Sequence, residues 1–166
     1  PLKILEFGFG TGLNTLLTLT GRRTLNIAYT TLEKYPIALD IAGQLNYGQV
    51  LKEPTLFKEL HSCPWSEWQK ISDSFQLLKL PIDFVDFKPE TDYDIIYFDA
   101  FAPGKQPELW SFELLQKCYA ALKNKGVFVT YSAKGQVRRD LQKLGFKVER
   151  LPGPPGKFEM LRATKI

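Results

Sequence analysis

Four acids stand where a chain could put them to chemical use: Glu6 in ILEFGFGTGLN, Glu33 in TLEKYP, Asp83 in PIDFVDF and Asp99 in IIYFDAFAP. Each ends or borders an apolar run of strand length, and in sheets built from alternating strands and helices the carboxyl ends of strands are where ligands bind. Beside Glu6 lie Gly8, Gly10 and Gly12, which remove Cβ atoms where a ligand must touch backbone. Their GxGxG spacing is not the GxGxxG of a diphosphate loop, no P-loop lysine follows, and an acid precedes them. A cationic ligand suits that arrangement better than a diphosphate. Glu33, at the end of a second strand, can accept hydrogen bonds from both hydroxyls of a ribose; alone it would read as a solvated acid. Asp83 reads evenly as an acceptor for an adenine amino group or as surface charge. Asp99 ends its run where such ligands bind, with a helix-capping or loop-fixing aspartate as the alternative.

The elements that must position these residues follow from periodicity. LKILEFG and TLNIAYTTLE are apolar or β-branched runs of strand length, and GLNTLLTLTGRR between them has leucines at helical spacing. Pro36 at a first-turn position predicts a second helix over YPIALDIAGQLNYG. The middle of the chain reads coarsely as a helix, a loop and a strand near Ile82 to Phe87. DYDIIYFDAF is apolar on both faces, as a buried parallel strand must be. Pro107 opens a helix expected to run to Gly126, with Leu109, Phe112, Leu115, Tyr119 and Leu122 on one side. GVFVTYS follows as a central strand, then a helix from Gly135 to Leu144, then FKVERL and FEMLRATKI as a hairpin about PGPPGK. Such alternation predicts an open, mostly parallel sheet with helices on both faces.

At 166 residues the chain has room for one domain, residues 1–166, and not for two ordinary ones. Pro1 is not a natural first residue, so a preceding segment is expected to be missing. A 44% hydrophobic and 24% charged composition is that of a water-soluble domain, and no membrane association is expected. Cys63 and Cys118 are too far apart for a CxxC site and too few for a disulfide framework, which points to a reduced, cytoplasmic setting. His61, the single histidine, leaves no His-rich metal cluster and reads as structural; no metal is expected. The net charge of +4 permits a nucleic-acid partner without demanding one.

The glycine loop with Glu33 resembles the class I S-adenosylmethionine methyltransferases. EFGFGTGLN, EKYP, YFDAFAPGKQPELW, YSAKGQVRRDLQKLGF and PGPPGKFEMLRATK narrow the likeness from end to end. Together they look like the bacterial methyltransferases that finish 5-methylaminomethyl-2-thiouridine at the tRNA wobble position, in the stand-alone form. The resemblance implies an α/β, Rossmann-like fold whose mostly parallel twisted sheet ends in a C-terminal antiparallel hairpin. It implies S-adenosylmethionine as cofactor, contacted by Glu6, Gly8, Gly10, Gly12, Asn14, Glu33, Asp83 and Asp99. Asp99 is the catalytic candidate, orienting the 5-aminomethyl group. Phe101, Pro103 and Trp110 would wall or stack on the uridine, core packing being the equal alternative for Trp110. Lys105, Lys134, Arg138, Arg139 and Lys157 would meet tRNA phosphates. A separate flavin-dependent oxidase acting earlier in the same pathway is an expected partner activity. Two departures stand out: family members usually carry several dozen residues before the glycine motif, and Phe158 replaces a customary basic residue. Methyl or aminopropyl transfer to another amine, or an inactive tRNA- or nucleoside-binding module, are the competing readings.

Overall fold

The computed structural model describes residues 1–21, 24–88, 92–101, 103–153, 155–156 and 158–166. In chain order these form β1 (Leu2–Phe7), α1 (Leu13–Gly21), β2 (Ile27–Leu32), α2 (Leu39–Ala42), α3 (Tyr47–Val50) and α4 (Pro54–Ser62). Then come β3 (Trp68–Ser72), β4 (Phe75–Leu80), β5 (Tyr93–Phe98), a 3₁₀ turn (Pro107–Trp110) and α5 (Phe112–Ala121). The rest is β6 (Leu122–Thr130), α6 (Gly135–Lys143), β7 (Phe146–Pro152) and β8 (Glu159–Lys165). All these strands join one sheet in the order β3, β4, β2, β1, β5, β6, β8, β7. The five central strands are parallel, while β3 at one edge and the β7 and β8 hairpin at the other are antiparallel. This is the mostly parallel, Rossmann-like sheet with a C-terminal antiparallel hairpin expected from the sequence.

Period-two alternation explains how one sheet makes two cores. In β1, Ile4 faces a cluster with Leu16 of α1 and Phe57 and Leu60 of α4, whereas Leu5 and Phe7 face Leu114, Leu115 and Leu141 of α5 and α6. Burying such side chains stabilises the fold by about 1.5–3 kcal/mol each, so every central strand is held from both faces. The chain winds from β1 outward through β2 to β4, then crosses back to place β5 on the other flank of β1. The strand order therefore reverses between β1 and β5, and a crevice opens beyond their carboxyl ends.

Three expectations need correction. No strand covers Ile82 to Phe87; that segment turns, with the Asp86 N–H donating to the Asp83 carbonyl at 3.2 Å, while β3 and β4 form a hairpin just before it. Pro36 starts no helix, and between it and Val50 only the one-turn α2 and α3 form. The helix expected from Pro107 to Gly126 is a 3₁₀ turn, then α5, begun afresh where the Ser111 hydroxyl accepts from the Leu114 N–H at 3.3 Å. It stops at Ala121, and Leu122 already belongs to β6. Among the described residues no helix is long and apolar enough to cross a membrane, and no group of three His, Cys, Asp or Glu could hold a metal ion.

Candidate active site

A cavity of about 940 Å³ occupies the crevice. Of the residues singled out in the sequence it is lined by Gly8, Gly10, Asn14, Glu33, Asp83, Asp99 and Phe101. Tyr35, Gln106, Glu108 and Tyr131 line it as well and were not anticipated. Tyr131 follows the carboxyl end of β6 just as Asp99 follows that of β5, so the strand-end rule that found the acids could have found it.

The glycines differ in what requires them. Gly8 has φ +100°, and a Cβ there would sit 3.0 Å from the Asp99 carbonyl oxygen, so the loops after β1 and β5 touch at this point. Gly10 has φ +50° and would aim a Cβ at open space, with no atom of the described residues beyond its chain neighbours within 4 Å. Gly12 is buried against Phe9 and His61 and does not line the cavity. His61 Nε2 lies 3.1 Å from the Thr11 carbonyl; only a protonated nitrogen can donate to it, which fixes the tautomer and anchors the loop. Burial lowers the pKa of this histidine, consistent with its structural reading.

Glu33 spans the loop. Its Oε2 accepts from the Gly10 N–H at 3.0 Å and its Oε1 from the Tyr35 N–H at 2.9 Å, so one carboxylate ties the glycine loop to the segment after β2. Asp83 sits in the turn beyond β4, not before a strand end. Lys34 Nζ stands 2.6 Å from its Oδ2 and the Val85 N–H donates to its Oδ1 at 3.1 Å. The Lys34 contact holds the Asp83 carboxyl below the usual carboxylate range.

Glu6 does not line the cavity. It is fully buried beneath the loop, where Thr15 and Thr31 hydroxyls both donate to Oε2, at 3.1 and 2.7 Å, and Oε1 has no partner among the described residues. Desolvation pushes its pKa up to about 7 against the opposing hydrogen bonds of Thr31, Asn14 and Thr15. Asp99, by contrast, is exposed at the cavity. Asn14 Nδ2 donates to its Oδ2 at 2.8 Å. Tyr131 donates its hydroxyl to the next carbonyl, that of Ala100, at 2.6 Å, and burial followed by the charge of Asp99 raises the pKa of that phenol.

The expected substrate-side residues divide. Phe101 is 72% exposed on the cavity wall. Trp110 is buried in the core instead, its ring 5.0 Å from Phe98, and its Nε1 donates to the Phe101 carbonyl at 2.8 Å. It thus supports the wall from behind. Pro103 is half-buried and Lys105 exposed, both outside the lining. Lys134 Nζ lies 3.4 Å from where a Cβ on Gly104 would be, which places it against the loop after β5. On α6, Arg138 buries an Nε that has no partner among the described residues, and exposed Arg139 donates to Gln136 at 2.9 Å. Lys157 lies outside the described residues.

Residues 57–166 match the model of a family described as S-adenosyl-L-methionine-dependent methyltransferase. The tRNA 5-methylaminomethyl-2-thiouridine biosynthesis bifunctional protein MnmC of Nitrosospira multiformis is 30% identical over 95% of the chain and 27% of its own length. The protein of the same name from Leptospira interrogans is 32% identical over 95% of the chain and 26% of its own length. The chain therefore spans about a quarter of these curated relatives. Among solved structures, MNMC2 from Aquifex aeolicus aligns with a TM-score of 0.72 and 26% identity, over 98% of this chain and 52% of that one. Spermidine synthase from Thermotoga maritima aligns at 0.66 over 100% of this chain and 54% of that one, but at 19% identity shares only the fold.

S-adenosylmethionine fits the crevice on this structure's own terms. The cavity lies in the size range of ligand pockets, about 300–1,000 Å³. Gly10 presents bare backbone to it, and the acids Glu33, Asp83 and Asp99 in its lining suit a sulfonium cation.

Proposed function

Because the chain belongs to the S-adenosyl-L-methionine-dependent methyltransferase family, we propose that it methylates the 5-aminomethyl group of a tRNA wobble uridine. The product of 5-aminomethyl-2-thiouridine would be 5-methylaminomethyl-2-thiouridine. Similarity along 95% of the chain to relatives named for that biosynthesis supports the substrate. The observation that carries the chemistry is Asp99: a carboxylate exposed to the cavity, with Oδ2 already held by Asn14.

The bound cofactor supplies an electrophilic methyl group on its sulfonium. Gly8, Gly10 and Gly12 shape the backbone that receives it, and Glu33 retains acceptor capacity for ribose hydroxyls beyond its two backbone donors. Asp83 would accept from the adenine amino group in competition with Lys34. Glu6, which does not line the cavity, ties α1 to β2 through Thr15 and Thr31. An aminomethyl group is mostly protonated at neutral pH, so Asp99 accepts a hydrogen bond from the ammonium and eases departure of its proton. The nitrogen lone pair is then free in a fixed direction, and alignment does most of the remaining work.

Phe101, exposed at the wall and braced by Trp110, offers a face for the splayed uracil, as aromatics do for unpaired RNA bases. Pro103 shapes the same loop. Lys105, Lys134, Arg138 and Arg139 would contact phosphates, with Lys157 a further candidate. A flavin-dependent oxidase activity acting earlier in the same pathway would supply the amine. The reading is tested with tRNA from a strain lacking the gene: wobble nucleosides should accumulate as 5-aminomethyl-2-thiouridine, and purified protein with S-adenosylmethionine should convert them. Asp99→Asn, which keeps the shape and removes the charge, should slow single-turnover methylation by about a hundredfold to ten-thousandfold. Normal wobble nucleosides in the deletion strain would refute the substrate, and a variant within severalfold of the parent would refute the role of Asp99.

A further inference from the structure

Asp99 has its main chain fixed on both sides. Its N–H donates to the Phe7 carbonyl at 3.1 Å, and the following carbonyl, of Ala100, accepts the Tyr131 hydroxyl at 2.6 Å. What these contacts leave free is rotation of the carboxylate about its own side-chain bonds. Asn14 controls that rotation. It is the second residue of α1, so a strand-to-helix turn packed on β1 carries it to the cavity wall, where Nδ2 reaches Asp99 Oδ2 at 2.8 Å.

We propose that Asn14 is the positioning residue of methyl transfer: it holds Asp99 Oδ2 inward and leaves Oδ1 to face the amine. The proposal rests on the reading of Asp99 given above and deepens it. The residue type matters as much as the place. Asn14 also favours the charged form of the buried Glu6, and the charges of Glu6 and Asp99 oppose each other. A neutral amide, with two N–H donors, can serve a carboxylate without adding a like charge between the two acids. An aspartate of the same shape would turn a donor into an acceptor and bring a third negative charge to the pair.

Variants at Asn14 and Asp99 and one spectrum test this. With cofactor saturating and tRNA lacking the final methyl, Asn14→Ala should lower the single-turnover rate on the order of tenfold to a hundredfold, the worth of a hydrogen bond to a charged group. Cofactor affinity measured by calorimetry should stay within about threefold, since positioning acts on the transition state and not on cofactor binding. Asn14→Asp should be no better than Asn14→Ala despite its nearly unchanged volume, an order that a packing role would reverse. Adding Asn14→Ala to Asp99→Asn should cost nothing further, because the group it positions is already gone. In the protein without cofactor, the Asn14 side-chain amide should show a hydrogen-bonded proton resonance that moves upfield in Asp99→Ala.

A weakened cofactor affinity with an unchanged saturated rate would make Asn14 a cofactor contact and overturn the inference. So would an active Asn14→Asp, independent losses in the double variant, or an amide resonance indifferent to Asp99. If Asp99→Asn alone leaves the rate intact, the reading of Asp99 fails. If Asp99→Asn is crippled and Asn14→Ala is not, that reading stands and only the positioning role falls.

Discussion

Gly8 and Gly10 stand two residues apart in one loop, yet alanine at each should do different damage. At Gly10, φ is +50°, a left-handed conformation that costs an L residue about 1–2 kcal/mol, and among the described residues beyond its chain neighbours the new Cβ meets no atom within 4 Å. Gly10→Ala should therefore unfold only slightly earlier, by roughly 2–8 °C for a chain of this size. Its methyl points into the space assigned to the cofactor, so S-adenosylmethionine affinity should fall by about fivefold to a hundredfold, the cost of overfilling a fitted site. At Gly8, φ is +100° and the Cβ would come 3.0 Å from the Asp99 carbonyl oxygen, a backbone atom with little freedom to retreat. Gly8→Ala should cost about 2–5 kcal/mol from strain and contact together, and should move Asp99 itself. Urea unfolding without cofactor and titration calorimetry with it separate the two effects. A Gly10→Ala protein that binds cofactor like the parent would show that the ligand does not lie against this loop. A Gly8→Ala protein as stable as Gly10→Ala would refute the claim that the β1 and β5 loops are locked together there.

Two further outcomes follow from charge. Glu6 has its carboxyl raised from 4.5 to about 7 by burial, so the folded chain holds a proton that the unfolded chain releases, and stability should fall by about 3 kcal/mol as pH rises across that window. Glu6→Gln, whose amide oxygen can keep both threonine hydroxyls, should flatten that decline; parallel urea-unfolding profiles of parent and variant between pH 5 and 8 would refute it. If Lys134, Arg138 and Arg139 meet phosphates, each contact removed should flatten the logarithmic salt dependence of tRNA affinity by about 0.7–0.9, and an unchanged slope in the triple alanine variant would return them to a solvated helix face.

Periodicity made β1, α1, β2, β5, α6 and the terminal hairpin legible, because each shows one apolar pattern matched to one environment. The β3 and β4 hairpin was hidden by Lys79. Along Phe75, Leu77 and Lys79 the buried face of β4 carries an ammonium that no apolar pattern predicts. The structure accommodates it with two carbonyls at the end of α4, those of Leu60 and His61 at 2.7 and 3.0 Å, and with the Trp65 ring 4.8 Å away. Its pKa is lowered by desolvation all the same. Phe84 and Phe87 misled in the opposite sense: their aromatic run looks like a strand, but a spacing of three lets both reach the core from a turn. Helix α5 was overextended because Pro107 is as good an opening for a 3₁₀ turn as for an α-helix, and Ser111 supplies the real cap.

The candidate site was legible as positions and illegible as partnerships. Placing acids at strand ends needs only the order of elements, so Glu33 and Asp99 could be found from the chain alone. Which groups they hold depends on contacts between residues 23 and 85 positions apart, Gly10 with Glu33 and Asn14 with Asp99, which no local pattern encodes. Those contacts change what the residues mean. Glu33 orders the loop that would receive the cofactor before it can touch the cofactor, and Asp99 is oriented by a residue whose motif suggested cofactor binding. Loss of Glu33 therefore combines loop disorder with any lost ribose contact. Gly10, whose Cβ position has no neighbour among the described residues beyond those adjacent in the chain, is the more direct probe of what the cavity holds.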